Sequence, residues 1–326
     1  MGDDVLNAAQ RVASHYSTRG NQTLFERRTS PIARLRILNN WIKSVLIKTY
    51  VHEDNHVLDI ACGKGGDFPK WSRAKIGCYV GVDIAEGSVK TDAPERYNNG
   101  RVQKEYTFHA RLFHADAFQV DLLPHIGDLG PFDIVSCQFA FHYCFNTEER
   151  AKQCLQNIGD ALRPKGMFIG TTADANVLVK NLRKAESLSF GNSVYSVEFP
   201  QEHASKAFPP GTPFGIRYKF TLADAVEEVD EYLVPWPKLV ELAAEVGLKP
   251  VLNANFHDYA AYNLTIAENV ELLAGMGFER EAMSEDEWEA SRIYMVMAFE
   301  KEGDTKDICS TGEGGCRCKR DSQGLK

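Results

Sequence analysis

A doubly wound α/β fold on a mostly parallel sheet is the class this sequence predicts, and three observations predict it. From residue 56 onward, short apolar runs alternate with helical segments, the pattern of successive βαβ units. The first run ends in a glycine-rich turn, Val57-Leu58-Asp59-Ile60-Ala61-Cys62-Gly63-Lys64-Gly65-Gly66-Asp67. A one-faced helix over Glu148–Leu162 then crosses from the fourth run to the fifth.

The elements follow in chain order. Ile32, Leu35, Leu38, Trp41, Ile42, Val45 and Leu46 recur at helical spacing and predict a helix over residues 31–50, opened by Thr29, Ser30 and Pro31. His56–Ile60, Tyr79–Val82, Phe108–His114, Phe132–Cys137 and Met167–Thr171 read as strands. Ala151, Cys154, Leu155, Ile158, Ala161 and Leu162 form the apolar face of the crossing helix, which Pro164 and Gly166 stop. Beyond Ala173 the pattern is less regular and suggests insertions, with a loop at Phe208–Pro213 and an extended piece at Tyr232–Pro235. Trp236–Val246 reads as helix, Leu248–Phe256 as extended, Asp258–Met276 as one helix and Ser291–Glu300 as a closing strand. From Gly303 the tail has almost no large apolar residue and reads as disordered. Its Cys309, Cys316 and Cys318 have no recognised tetrahedral metal spacing and no nearby His, so no metal is expected.

Charge is uneven. The whole chain carries −8, yet Val5–Lys48 holds eight Lys or Arg against the single acid Glu26. Such a run reads either as a solvated helix face or as a patch that meets phosphates. No apolar run approaches the ~20 residues of a membrane-spanning helix. The start Met1-Gly2-Asp3-Asp4 lacks a basic-then-apolar signal pattern, so the protein is expected inside the cell, without a membrane partner.

The glycine turn follows a strand and precedes a short helix, where backbone can approach an adenosyl ligand. Asp83 closes the second strand at the spacing where a carboxylate reaches ribose hydroxyls. Asp116 ends the third, where a side chain can bond the adenine amino group. A dinucleotide enzyme needs a small residue at the sixth position of the turn, for close helix packing beneath a pyrophosphate. Phe68 stands there, which favours an adenosyl ligand without pyrophosphate, such as S-adenosylmethionine. These features alone suit a methyltransferase acting on a small molecule or a protein, or a scaffold that keeps only cofactor binding.

Further stretches narrow the choice: Ser30-Pro31, Asn39-Asn40-Trp41-Ile42-Lys43, Asp59-x-x-Cys62-Gly63-Lys64-Gly65-Gly66-Asp67, Gln138-Phe139-x-x-His142-Tyr143, Gly170-Thr171-Thr172 and Ile293-Tyr294. Together they resemble the mRNA cap guanine-N7 methyltransferase family, over residues 15 to 301. The resemblance implies a class I, Rossmann-like methyltransferase: a seven-stranded, mostly parallel sheet with helices on both faces and insertions in the C-terminal half. It implies a basic, largely helical segment 1–50 packing on a catalytic domain 51–302, with cap-binding insertions at about 174–260. The cofactor would be held by Lys43, Ala61, Gly63, Asp83, Asp116, Gln138 and Tyr143, and the cap by Asn39, Asn40, Phe139, His142, Glu231 and Tyr294. Lys64, Lys70 and Arg96 would line the cap and triphosphate path. The implied partners are capped RNA and other capping enzymes or the RNA polymerase II machinery, and the implied location is the nucleus. Three positions depart from the family pattern: Ala61 stands where Gly is usual, Ser17 follows His15-Tyr16 in place of Asn, and Ala173 replaces a Pro.

Taken alone, Glu231 beside Asp230 reads as an ordinary surface acid. The resemblance makes it the carboxylate that accepts from both N1–H and the N2 amino group of guanine. Guanine N7 has a free lone pair and loses no proton on methylation, so no general base is needed. Orientation by His142, Tyr143, Glu231 and Tyr294, with charge stabilisation, is the expected source of rate.

Overall fold

The structure is a computed structural model describing residues 11, 13–14, 23–209, 211–278 and 282–303. The His15-Tyr16 motif with Ser17, and the tail with its three cysteines, lie outside the described residues. The strands are β1 (His56–Ile60), β2 (Cys78–Asp83), β3 (His109–His114), β4 (Phe132–Gln138), β5 (Leu162–Ala173), β6 (Ser189–Gly191), β7 (Tyr195–Glu198), β8 (Arg217–Leu222), β9 (Val226–Tyr232), β10 (Leu248–Asn255) and β11 (Tyr294–Lys301). The helices are α1 (Leu24–Thr29), α2 (Ala33–Tyr50), α3 (Phe68–Arg73), α4 (Ala93–Val102), α5 (Leu123–Ile126), α6 (Glu148–Ala161), α7 (Ala175–Lys184), α8 (Trp236–Glu245), α9 (Phe256–Asn263), α10 (Ala267–Gly275) and α11 (Glu285–Ser291).

The main sheet has seven strands in the order β10-β11-β5-β4-β1-β2-β3. β1 runs parallel to β2 and β4, with Ile60 opposite Val82 and Cys137. β11 alone is antiparallel to its neighbours β5 and β10. Helices cover both faces, as expected for strands buried on both sides. On one face Ala151, Leu155 and Ile158 of α6 and Leu239 of α8 pack with Val135, Phe168 and Phe299. On the other, Leu46 of α2, Phe68 and Trp71 of α3 and Tyr97 of α4 pack with Val57, Tyr79 and Ile134.

The stripe read on α2 is buried throughout, and it serves two cores. Leu46 and Ile47 face the main sheet, while Leu35, Leu38, Trp41, Ile42 and Val45 pack with Tyr195, Tyr218, Phe256 and Tyr294. The helix begins two residues later than its Thr29-Ser30-Pro31 signal implies, and Ile32 at its N-cap offers no side-chain acceptor. Glu287 of α11 does instead: its Oε1 accepts from the backbone N–H of Arg34 (2.9 Å) and Leu35 (3.1 Å). A carboxylate at that end satisfies orphan donors and opposes the helix dipole.

The stretch read only as insertions contains a second sheet, antiparallel, in the order β6-β7-β8-β9. Its signal was present in β8, where Tyr218, Phe220 and Leu222 are buried and alternate with more open residues. Asp258–Met276 is two helices, not one. Asn263 turns inward at the break and accepts from Asn269 Nδ2 (2.9 Å), and the Asn269 carbonyl accepts from Trp41 Nε1 (2.8 Å). The closing strand starts at Tyr294, because Ser291 still belongs to α11.

Candidate functional site

β1 lies between β2 and β4, so chain order reverses there and the carboxyl ends of β1 and β4 open a crevice. The backbone leaving both strands is left-handed, with φ of 58° at Ala61 and 58° at Phe139. A side chain in that region costs about 1–2 kcal/mol, so Ala61 carries a strain that the usual Gly avoids. Gly63 and Gly65 are also left-handed. They differ in what they face. A Cβ on Gly63 meets no atom within 4 Å, whereas one on Gly65 would meet the Phe68 ring at 2.2 Å. Gly63 therefore borders open space at the crevice, and Gly65 admits Phe68. The Phe68 ring is fully buried among Tyr79, Tyr97, Tyr106 and Phe108, and fills the place beneath the turn where a dinucleotide fold keeps a small residue.

Asp83 ties the turn to β2. Its Oδ2 accepts from Gly63 N–H and its Oδ1 from Ala85 N–H, both at 2.7 Å. Burial raises its pKa and these two backbone bonds oppose the shift. Asp116 is pinned by Arg150 of α6, with Nη1 at 2.8 Å and Nη2 at 3.3 Å, while the Arg150 guanidinium stands 5.9 Å from the Phe118 ring centroid. Gln138 ends β4 within a short network: its Oε1 accepts from Thr171 Oγ1 (3.1 Å) and its Nε2 donates to Ser136 Oγ (3.2 Å). Thr171 also holds the strained Phe139, whose N–H donates to its carbonyl (2.9 Å) and its hydroxyl (3.0 Å).

Asp67 joins α2 to the turn. Its carboxylate takes Lys43 at 2.8 Å and Lys70 at 2.6 Å, and Lys70 also donates to Asn40 Oδ1 at 2.8 Å. Burial alone would raise the Asp67 pKa, but the two lysine charges and their hydrogen bonds outweigh it and hold it well below the usual carboxylate range. Lys70, expected to line the cap and triphosphate path, is instead buried in this cluster. Lys43 also stands 5.8 Å from the Phe139 ring centroid. Lys64 pairs with Asp92 at 3.1 Å, and Arg96 Nη1 lies 3.9 Å from where a Cβ on Gly66 would be.

The second sheet closes the crevice from the side. Glu231 on β9 is 5% exposed, and its Oε2 accepts from Tyr218 Oη at 2.8 Å. Its Oε1 lies 3.4 Å from Nε2 of His142, which is 2% exposed. Neither ring nitrogen of His142 makes a hydrogen bond, and Asn39 Oδ1 is likewise buried without one. Buried polar atoms are normally satisfied, and here three of them, on two residues, lack a partner beside the Glu231 carboxylate. Beside them the Phe139 ring meets Tyr294 edge-on at 5.0 Å and Phe256 at 5.9 Å, and the His142 and Tyr143 rings are 4.3 Å apart.

The structure thus gathers Lys43, Ala61, Gly63, Asp83, Asp116 and Gln138 around the strand ends, and Phe139, His142, Glu231 and Tyr294 around the second sheet. Sequence reasoning gave no role to Asp67, Arg150 or Tyr218. Asp67 sat inside the quoted turn, but its lysine on α2 is 24 residues upstream. Arg150 adjoined the apolar face of α6 with nothing to mark its burial.

The crevice fits an adenosyl group: open space over Gly63 admits backbone approach, and Asp83 presents a buried carboxylate beside it. Fold and site define a class I S-adenosylmethionine-dependent methyltransferase. The CcbJ methyltransferase from Streptomyces caelestis shares the fold at a TM-score of 0.51 and 12% identity, over 90% of this chain and 96% of that one. The chain belongs to the mRNA cap guanine-N7 methyltransferase family: the mRNA (guanine-N(7))-methyltransferase domain matches residues 3–302. It is similar to mRNA cap guanine-N(7) methyltransferase 1 of Oryza sativa subsp. japonica, at 49% identity over 91% of this chain and 82% of the relative. The protein of the same name from Arabidopsis thaliana is 47% identical over 94% and 85%. The mRNA cap guanine-N(7) methyltransferase of Schizosaccharomyces pombe is 37% identical over 91% and 83%.

Proposed function

We propose that this protein methylates N7 of the 5′-terminal guanosine cap of mRNA, releasing S-adenosylhomocysteine. The observation that carries the reading is the buried Glu231 carboxylate, oriented by Tyr218 and facing His142. Guanine offers N1–H and the N2 amino group side by side, two donors for one carboxylate, whereas adenine offers an acceptor at N1 and leaves it unpaired. Asn39 Oδ1 and the His142 ring supply further polar contacts, and Phe139 and Tyr294 supply apolar surface for the base. Asn40, Lys64 and Arg96 would line the cap and triphosphate side of the site, and Lys70, buried against Asp67, would act there only by holding Asn40.

Bound in the crevice, S-adenosylmethionine supplies an electrophilic methyl group. Asp83 would hold its ribose, Asp116 its adenine, and Lys43, Ala61, Gly63, Gln138 and Tyr143 the remaining contacts. The chain's task is alignment: it fixes the guanine edge, excludes water and places Glu231 where positive charge develops on the base. No side chain has to remove a proton.

Incubation with labelled S-adenosylmethionine and RNA ending in GpppG, GpppA or pppG tests the reading. Label in 7-methylguanosine from both capped RNAs and none from pppG is the expected result. Label passing only to small molecules or protein overturns it. The family's part in mRNA processing supports a nuclear location and docking with other capping enzymes or the RNA polymerase II machinery, which tagging and co-purification check.

A further inference from the structure

A groove of about 700 Å³ lies outside the crevice, between α7, the residues Phe208, Pro209 and Pro213, and the start of α8. None of its lining residues belongs to the methyl-transfer site. Ile216 and Leu233 form its buried floor, with Val179, Phe208 and Trp236 half-buried beside them. Its charged side chains are Lys180, Arg183, Lys184 and Lys238 against the single acid Glu241, which is already paired with Lys238 at 2.7 Å. Lys180, Arg183 and Lys184 share the exposed side of α7.

In a chain of net charge −8 this concentration of cations over a recessed apolar floor is local and one-sided. Two of the three α7 cations sit in its last turn, where they also oppose the helix dipole, but that role needs no apolar trough beneath them. The floor is aliphatic, Pro213 and Pro235 stand in its walls, and the two aromatic rings, Phe208 and Trp236, are half-buried. Such a recess accepts the side chain of a peptide, whereas single-stranded RNA is held by flat aromatic faces presented to solvent. Leu233 and Ile216 are joined by a backbone bond, Leu233 N–H to Ile216 carbonyl (3.0 Å), and stand two residues from Glu231 and Tyr218.

We propose that this groove docks an acidic segment of a partner protein. An apolar side chain enters between Val179, Ile216, Leu233 and Trp236, and flanking carboxylates pair with Lys180, Arg183 and Lys184. Charge complementarity of this kind governs partner choice more than bulk affinity.

The test is fluorescence anisotropy on the full chain with three fluorescein-labelled probes. One is a peptide of Glu and Asp interrupted by Phe and Leu, the second has Lys at every acidic place, and the third is an uncapped oligouridylate. The acidic peptide should bind at least about tenfold more tightly than the lysine peptide, and Lys180→Glu/Lys184→Glu should weaken it about tenfold. Val179→Gln should weaken it with the charges intact. The thermal midpoint and the methylation rate on GpppG-RNA should not change in either variant. Equal binding of the two peptides, peptide binding indifferent to both variants, or loss of the oligouridylate alone on charge reversal would overturn the proposal.

Discussion

His142 and Glu231 face each other at 3.4 Å, Nε2 to Oε1, one from the short helical segment after β4 and the other from the second sheet. Both are almost fully buried, and Tyr218 holds only the far oxygen of the carboxylate. In the proposed reading the near oxygen and the imidazole edge would meet the guanine. Glu231→Gln replaces one acceptor by a donor. It should lower kcat/KM for GpppG-RNA by about 100-fold or more, with S-adenosylhomocysteine affinity held within about threefold. Steady-state transfer and calorimetry separate the two effects.

If orientation rather than proton transfer drives the reaction, the pH–rate profile has no limb owed to His142. His142→Asn should lower the single-turnover rate without altering the shape of that profile between pH 6 and 9, because guanine N7 surrenders no proton. A lost limb in the variant would assign acid–base work to the imidazole.

Arg150 is a positioning residue for Asp116. Its two hydrogen bonds set the plane of a carboxylate proposed to meet the adenine amino group. Arg150→Gln should raise the cofactor KM by about tenfold with kcat nearly unchanged at saturation, a loss of uniform binding. Arg150→Lys, which keeps charge but not the fork, should recover only part of it. A stability change without that split in KM and kcat would assign Arg150 to packing alone.

Phe68 is a packing residue on which the glycine turn rests. Phe68→Ala should cost about 3–5 kcal/mol in urea unfolding. The S-adenosylmethionine affinity should fall too, since Gly65 loses the ring that backs it.

Asp59, buried on β1 and accepting from Tyr79 Oη at 2.8 Å, has its carboxyl raised to about 7, first by burial and then by the charge of Asp67. Between about pH 4 and 7 the folded chain keeps a proton there that the unfolded chain has lost. Stability therefore falls as pH rises through that window, by at most about 1.4 kcal/mol per unit from this group. Asp59→Asn should flatten this part of the curve, as chemical denaturation at stepped pH would register.

The central strands β1, β2, β4 and β5 of the main sheet were legible because they are apolar runs bounded by glycine and polar residues, and both faces are buried. The α2 stripe was legible for the same reason: burial on a helix leaves a period of 3.6. The second sheet was harder, since half of each strand is solvated and polar and β6 is only three residues long. Within the site, Asp83 and the glycine turn could be placed because strand ends are local features. The burial of Glu231 could not, because an acid beside Asp230 looks like surface until Tyr218 and His142 are known to surround it.

The sequence by itself determined the sheet, the cofactor-binding end of it and, through Asn39-Asn40-Trp41 and Gln138–Tyr143, the family. Those rest on spacing along the chain, which periodicity and motifs record directly. Only the tertiary structure decided the partnerships of charge: Lys43 and Lys70 on Asp67, Arg150 on Asp116, Glu287 on the first turn of α2, and Glu231 between Tyr218 and His142. Whether a carboxylate is solvated or buried depends on residues distant in sequence that desolvate and pair it. No local pattern encodes that.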